Sequence, residues 1–147
     1  MKILSGIDCI GVVACAMVHD GNGKILLMKR GKNARDEHGR WDICAGAIDF
    51  GETIEACLNR ELKEELCTIA NEIKFLSAGE AHRDQNGVNT HWVYLLYAVR
   101  VNEDSVKLGE PDKFDDFGWF NLNTLPTPMH SQFLEVKETI MKDGILK

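Results

Sequence analysis

The sequence predicts an α/β fold, a mixed β-sheet with helices packed on it. Three observations predict it. Short apolar runs bounded by turn residues read as strands. One long segment without Gly or Pro carries helical periodicity. The order along the chain is strands, helix, strands, helix. At 147 residues and 16.5 kDa the chain suits a single domain spanning residues 1–147. A chain of this size buries roughly 68–70% of its unfolded surface and needs no covalent staples.

The elements follow in order. Residues 10–18 and 24–29 are two strands joined by the turn Gly21-Asn22-Gly23. The first is apolar, follows Lys2 and contains Ala14-Cys15-Ala16, which mimics a short signal peptide. Asp8 interrupts that run and a turn follows it, so a buried strand is the reading adopted. Residues 30–40 are too charged for a core and read as a loop. Thr53 to Leu66 is the clearest helix: Thr53 can cap it, and Leu58, Leu62, Leu66 and Ile69 recur on one apolar face. Residues 72–81 and 90–101 read as strands, with Gln85-Asn86-Gly87 turning between them. A short strand around Gly118-Trp119-Phe120 and an amphipathic helix from about Ser131 to Met141 close the chain.

Composition excludes several classes. There are 23 acids against 17 bases, a net charge of −6, so the chain is no polycation for nucleic acid. No apolar run reaches the ~18 residues of a membrane span. The cysteines 9, 15, 44, 57 and 67 are odd in number and lack C-x-x-C spacing, which argues for reduced thiols and a cytoplasmic protein. An anionic substrate then needs a local basic patch or metal ions. Residues 29–40 hold five bases against two acids, a net +3, leaving −9 on the remainder. Such a loop can hold phosphates.

The chemistry concentrates between Trp41 and Leu66. At ~100° per residue, Glu61, Glu64 and Glu65 lie within ~100° of arc beside the Leu58/Leu62/Leu66 face. Glu61 and Glu65 form a like-charge pair that costs a few tenths of a kcal/mol. A solvated acidic face fits this pattern. So does a site for a hard divalent cation that takes oxygen ligands.

The run Gly46, Glu52, Arg60-Glu61-Leu62-Lys63-Glu64-Glu65 resembles the Nudix box, Gly-x5-Glu-x7-Arg-Glu-U-x-Glu-Glu-x-Gly-U, with U a bulky aliphatic residue. Seven of nine fixed positions match, over residues 46–68. Trp41-Asp42-Ile43-Cys44-Ala45-Gly46, the pair Lys29-Arg30, Glu110-Pro111 and Trp119-Phe120 extend the resemblance. It depends on four departures being tolerated: Cys67 at the last Gly, Thr68 at the last aliphatic position, Cys44 at a usual Pro and Ala45 at the first Gly of a pair.

The resemblance implies an α/β/α sandwich and a MutT-like nucleotide pyrophosphohydrolase. It implies Mg²⁺ as cofactor, with Mn²⁺ as substitute, on Glu64 and Glu65. Glu61 is a further ligand or the general base. The Ala45 carbonyl and Glu110 are candidate ligands too. Arg60, Glu61 and Glu64 are the expected catalytic residues, with Arg60 holding Glu61 by a bidentate pair. Gly46 and Glu52 complete the box, and Glu52 would brace the loop against the helix or simply favour its dipole. Arg30 is the expected phosphate contact, whereas Lys32, Arg35 and Arg40 read as a solvated loop. Phe50 and Asp115 are expected at the base or sugar, with His91, Asp116 and Trp119 as further candidates. Trp92 and Tyr94 read first as core packing in a strand. The expected substrate is a small nucleotide, foremost a nucleoside triphosphate cleaved to the monophosphate and pyrophosphate. ADP-ribose or a nucleotide sugar is the alternative, and a non-catalytic nucleotide sensor a third reading. No membrane or stable nucleic-acid partner is expected. A homodimer stays open.

Overall fold

The computed structural model describes residues 1–144 and 146. Seven strands and two α-helices follow in the order β1 (Gly11–His19), β2 (Ile25–Arg30), β3 (Trp41–Asp42), β4 (Cys44–Ala47), α1 (Ile54–Leu66), β5 (Glu72–Gln85), β6 (Val88–Arg100), β7 (Phe114–Phe120) and α2 (Ser131–Asp143). A 3₁₀ turn covers Glu103–Ser105. The sheet is mixed: β1 runs parallel to β6, and the remaining pairings are antiparallel.

Alternation in β1 and β2 puts apolar side chains on both faces. Ala14, Ala16, Val18, Leu26 and Met28 pack under α1 with Leu58, Leu62 and Leu66. Met17, Ile25 and Leu27 pack on the opposite face with Phe133, Val136 and Ile140 of α2. A sheet buried on both faces reads as a near-continuous apolar run, which is why the first strand resembles a signal sequence. The helices thus sandwich the sheet, as the resemblance implies.

Local chemistry sets the element ends. Thr53 Oγ1 accepts from the Ala56 N–H at 3.1 Å and caps α1. Cys67 closes that helix in the left-handed region, φ 55° and ψ 32°, with its N–H directed to Leu62 and Lys63 carbonyls. Asn86 and Gly87 both have positive φ, 55° and 84°, as a two-residue hairpin turn demands. That turn carries β5 on to Gln85, four residues beyond the expected end. β7 likewise begins at Phe114 rather than near Gly118.

Two expectations need correction. The β1–β2 hairpin closes only at its turn, where His19 faces Ile25. Beyond that the strands splay, and β4 pairs with Val13–Ala16 of β1 while β3 pairs with Met28 and Lys29. Trp41–Asp42 and Cys44–Ala47, which the sequence reading assigns to no strand, therefore enter the sheet. Ile69 does not extend the α1 apolar face: it lies past the C-cap and is exposed. All five cysteines are free. Among the described residues no helix is long and apolar enough to cross a membrane.

Candidate functional site

The splay of β1 and β2 brings β4 under α1, and the acidic residues meet the sheet there. The Glu61 carboxyl lies over Gly46. A Cβ on residue 46 would stand 2.1 Å from Glu61 Cδ and Oε1, so only glycine leaves room. Arg60 ties the corner together. Its Nε and Nη2 donate to Glu52 Oε2 and Oε1 at 2.7 and 2.9 Å, its Nη1 to Glu61 Oε1 at 2.7 Å, and its Nη2 to the Ala47 carbonyl at 3.0 Å. The bidentate partner is therefore Glu52, not Glu61 as expected. Glu61 adjoins Arg60 in the chain and meets one N–H, whereas Glu52 faces the fork from the preceding loop. Glu52 Oε1 also accepts from the Asp49 N–H at 3.1 Å, which joins loop to helix. The Arg60 bonds hold the Glu52 carboxyl down to about 2.

Burial dominates the other acids. Glu65 is 1% exposed, and its Oε2 is buried with no hydrogen-bond partner among the described residues. Its Oε1 lies 3.4 Å from Lys113 Nζ. Desolvation pushes the Glu65 carboxyl up to about 8, against the pull of Lys113. Glu61 is raised as well, burial outweighing Arg60. Glu64 points outward, 51% exposed and 3.7 Å from Arg60 Nη1. Glu110 is half-buried, and its charge acts on Glu65.

An unpaired carboxylate oxygen in the interior is costly unless a cation meets it. The all-carboxylate donor set of Glu61, Glu64 and Glu65, with Glu110 nearby, suits Mg²⁺ or Mn²⁺, which prefer hard oxygen ligands. The donor chemistry of the residues present fits such an ion, although Glu64 is turned outward and the three carboxylates do not converge within 4.8 Å of one another among the described residues. The Ala45 carbonyl belongs to β4 at the rim of the same cavity.

That cavity holds about 380 Å³ and opens beside Glu61. One wall is the inner face of the β5–β6 hairpin, with Arg83, Trp92 and Tyr94; the start of α2 lies opposite. Arg30, Arg35, Arg83 and Lys113 bring positive charge to it. Arg30 was expected there, but it is partly committed: its Nη2 meets Asp36 Oδ1 at 2.9 Å and its Nη1 lies 3.7 Å from Asp42. Arg83 is held by Asp36 and Glu37 at 3.2 and 3.0 Å. The Arg35 guanidinium lies 5.8 Å above the Trp92 ring.

Several expectations fail here. Phe50 is fully exposed at its loop tip and does not line the cavity. Asp115 and Asp116 are exposed on β7, and Asp115 packs on Gly31 rather than facing the cavity. Trp119 packs against the core under α1. His91 faces away from the cavity that Trp92 lines, because neighbouring strand residues alternate. Trp92 and Tyr94 line the cavity, and Tyr94 also packs against the core on the α2 face, as expected of it. Arg35 is exposed, as expected of a loop residue, and also borders the cavity. Arg83 and Lys113 were missed altogether. For Arg83 the signal existed: the Asn86-Gly87 turn fixes the register that pairs Ala81 with Trp92, and Arg83 shares their parity. Lys113 carried no local signal, since its place depends on how residues 101–114 return over α1.

Comparison with known proteins bears on the family and the fold. The family model of the NUDIX domain matches residues 10–140. A nucleoside triphosphatase, NudI of Escherichia coli O81 (strain ED1a), is 26% identical over 119 residues, covering 73% of this chain and 79% of that protein. An 8-oxo-dGDP phosphatase of Mus musculus is 25% identical over 121 residues, covering 81% of this chain. The matched region spans only 35% of that mouse protein. A crystal structure of a MutT NUDIX hydrolase from Burkholderia pseudomallei superposes with a TM-score of 0.78 at 29% identity, covering 88% of this chain and 97% of that one. The NUDIX domain of Shewanella oneidensis NrtR, solved with ADP ribose, shares the fold at TM-score 0.73 and 20% identity, over 92% and 88% of the two chains. With the family match running from the first strand into the last helix, and the acidic helix seated on its glycine, the chain belongs to the NUDIX domain family.

Proposed function

We propose that this Nudix hydrolase cleaves a phosphoanhydride bond of a nucleoside triphosphate, giving the monophosphate and pyrophosphate, with Mg²⁺ on Glu61, Glu64 and Glu65. The observation that carries the reading is the buried, unpaired Glu65 Oε2 beside a cavity lined by four basic side chains. The names of the Escherichia coli and mouse relatives support a nucleotide substrate.

A bound divalent ion supplies charge neutralisation and a more acidic water. The chain's own residues do the rest. Lys113, Arg83 and Arg30 attract and orient the phosphates. The Arg60 bond fixes the Glu61 carboxylate, which accepts the proton of the attacking water. Burial makes Glu61 a stronger base than an exposed carboxylate. The Trp92 ring and the Arg35 plane offer a stacking surface for the base.

ADP-ribose or a nucleotide sugar is the second reading, because a NUDIX domain of this fold holds ADP ribose. One experiment separates them. The protein is incubated with Mg²⁺ and nucleoside triphosphates, ADP-ribose or nucleotide sugars, and products are resolved by chromatography. Pyrophosphate and monophosphate from a triphosphate, lost in Glu64→Gln, is the expected result. Cleavage confined to ADP-ribose would select the second reading. Nucleotide binding without cleavage of any substrate would replace the hydrolase with a sensor.

A further inference from the structure

A second group of metal-ligating side chains lies on the opposite face of the β5–β6 hairpin. His82 and His91 are directly paired across the strands, with ring centroids 4.0 Å apart. Glu80 sits two residues before His82 and so shares its face. His91 Nε2 lies 3.0 Å and His82 Nε2 3.9 Å from the same Glu80 oxygen. One ligand atom from each residue lies within 4.8 Å of the others. A tetrahedral ion with Zn–N bonds of ~2.0–2.1 Å sets its ligand atoms ~3.3 Å apart. The two contacts bracket that spacing, so small side-chain rotations close the site.

We propose that Glu80, His82 and His91 bind one Zn²⁺-class divalent ion, distinct from the carboxylates of α1. Two imidazoles and one carboxylate suit Zn²⁺ better than Mg²⁺, which wants an all-oxygen shell. The three residues are exposed enough to exchange an ion: Glu80 and His82 side chains are 62% and 64% exposed and His91 32%. Among the described residues these three side chains make one hydrogen bond, between His91 Nε2 and Glu80 Oε1, and none to any other residue. Asp8 and Asp84 line a surface hollow together with His82 and His91 and add negative charge. Arg83 borders it too, but its guanidinium is taken by Asp36 and Glu37.

A comparable cluster, Asp36, Glu37 and His130, also has ligand atoms within 4.8 Å. It is already satisfied. Asp36 meets Arg30, Arg83 and Gln85, and Glu37 meets Arg83 and Ser131. His130 spends Nδ1 on the Gln132 N–H and Nε2 on Glu37. Two guanidinium groups at that cluster repel a cation, and none bonds to Glu80.

The ion would clip β5 to β6 beside Arg83 and Trp92, which line the substrate cavity from the other face. The test is calorimetric titration of Zn²⁺ into the full chain under saturating Mg²⁺, with imidazole NMR signals followed in parallel. One Zn²⁺ per chain is expected, with the His82 and His91 signals shifting together. Zn²⁺ affinity should fall at least tenfold in His82→Ala and in His91→Ala. Unchanged thermal unfolding in both variants, measured without Zn²⁺, establishes that they fold. No Zn²⁺ binding by the wild-type chain overturns the proposal, as does unchanged affinity in both variants. So does loss of binding in His130→Ala or Glu65→Gln with the two histidine variants intact. The outcome is independent of the nucleotide reading, because binding and unfolding are read without substrate.

Discussion

Replacing Gly46 by alanine tests how closely the sheet and the acidic helix are fitted. The added Cβ would stand 2.1 Å from the Glu61 carboxyl, whereas ordinary contact begins at 3.4 Å. Glu61 must therefore retreat by about 1.3 Å, which breaks its 2.7 Å bond from Arg60. A misplacement of ~1 Å costs a reacting group about 10²-fold in rate. That is ~2.7 kcal/mol of barrier. The backbone of Gly46 is not in the left-handed region, so alanine suits its dihedrals. The obstructing atoms end a flexible side chain, so stability should fall by no more than ~1 kcal/mol. Steady-state kinetics on the identified substrate, with thermal unfolding alongside, is the assay. The expected result is kcat down ~100-fold with KM changed only a few-fold. Full activity in a folded Gly46→Ala protein would refute the reasoning, because Glu61 would then be free to move without consequence. A large drop in unfolding temperature would refute it differently, by making Gly46 a packing residue first.

Two further outcomes follow from the same geometry. Cys67→Gly should stabilise the protein by ~1 kcal/mol, because Cys67 holds φ 55° at the helix end, where glycine has no Cβ to strain; denaturant unfolding measures it, and no gain would mean that the thiol's packing offsets the strain. Glu52→Gln should destabilise the chain near neutral pH by removing the charge of the Arg60 fork. Arg60 holds the Glu52 carboxyl at about 2, below its ordinary 4.5, so its contribution is complete above pH 4.5 and fades as the pH falls towards 2. The gap between wild type and Glu52→Gln in urea midpoints should narrow across that window; a constant gap would show that the ion pair contributes through packing alone.

The sequence carried what depends on neighbours a few residues apart. The Thr53 cap, the four-residue recurrence of Leu58, Leu62 and Leu66 and the Asn86-Gly87 turn are local, and each formed where its residues predict. The acidic cluster was legible for the same reason, since helical spacing alone puts Glu61 and Glu65 on one side. It was not legible which of these acids would lose water. Glu65 is 1% exposed while Glu64 is turned outward, and the sheet beneath α1 makes that difference.

Longer-range pairing decided the rest. The entry of β4 between the splayed β1 and β2 follows from hydrogen bonds between segments some thirty residues apart, as Ala14 with Gly46. No periodicity announces such a pairing. The cavity is likewise a product of register. Trp92 and Arg83 face it and His91 does not, because side chains alternate along strands, so one residue of register decides which of them can meet a substrate. Phe50 and Asp115 have apt chemistry but sit where the backbone turns them away. By itself the sequence determined the family, the helices and the kind of chemistry, because these rest on residue identity at short spacing. Only the tertiary structure decided which charges share a cavity, because that depends on strands meeting across the whole chain.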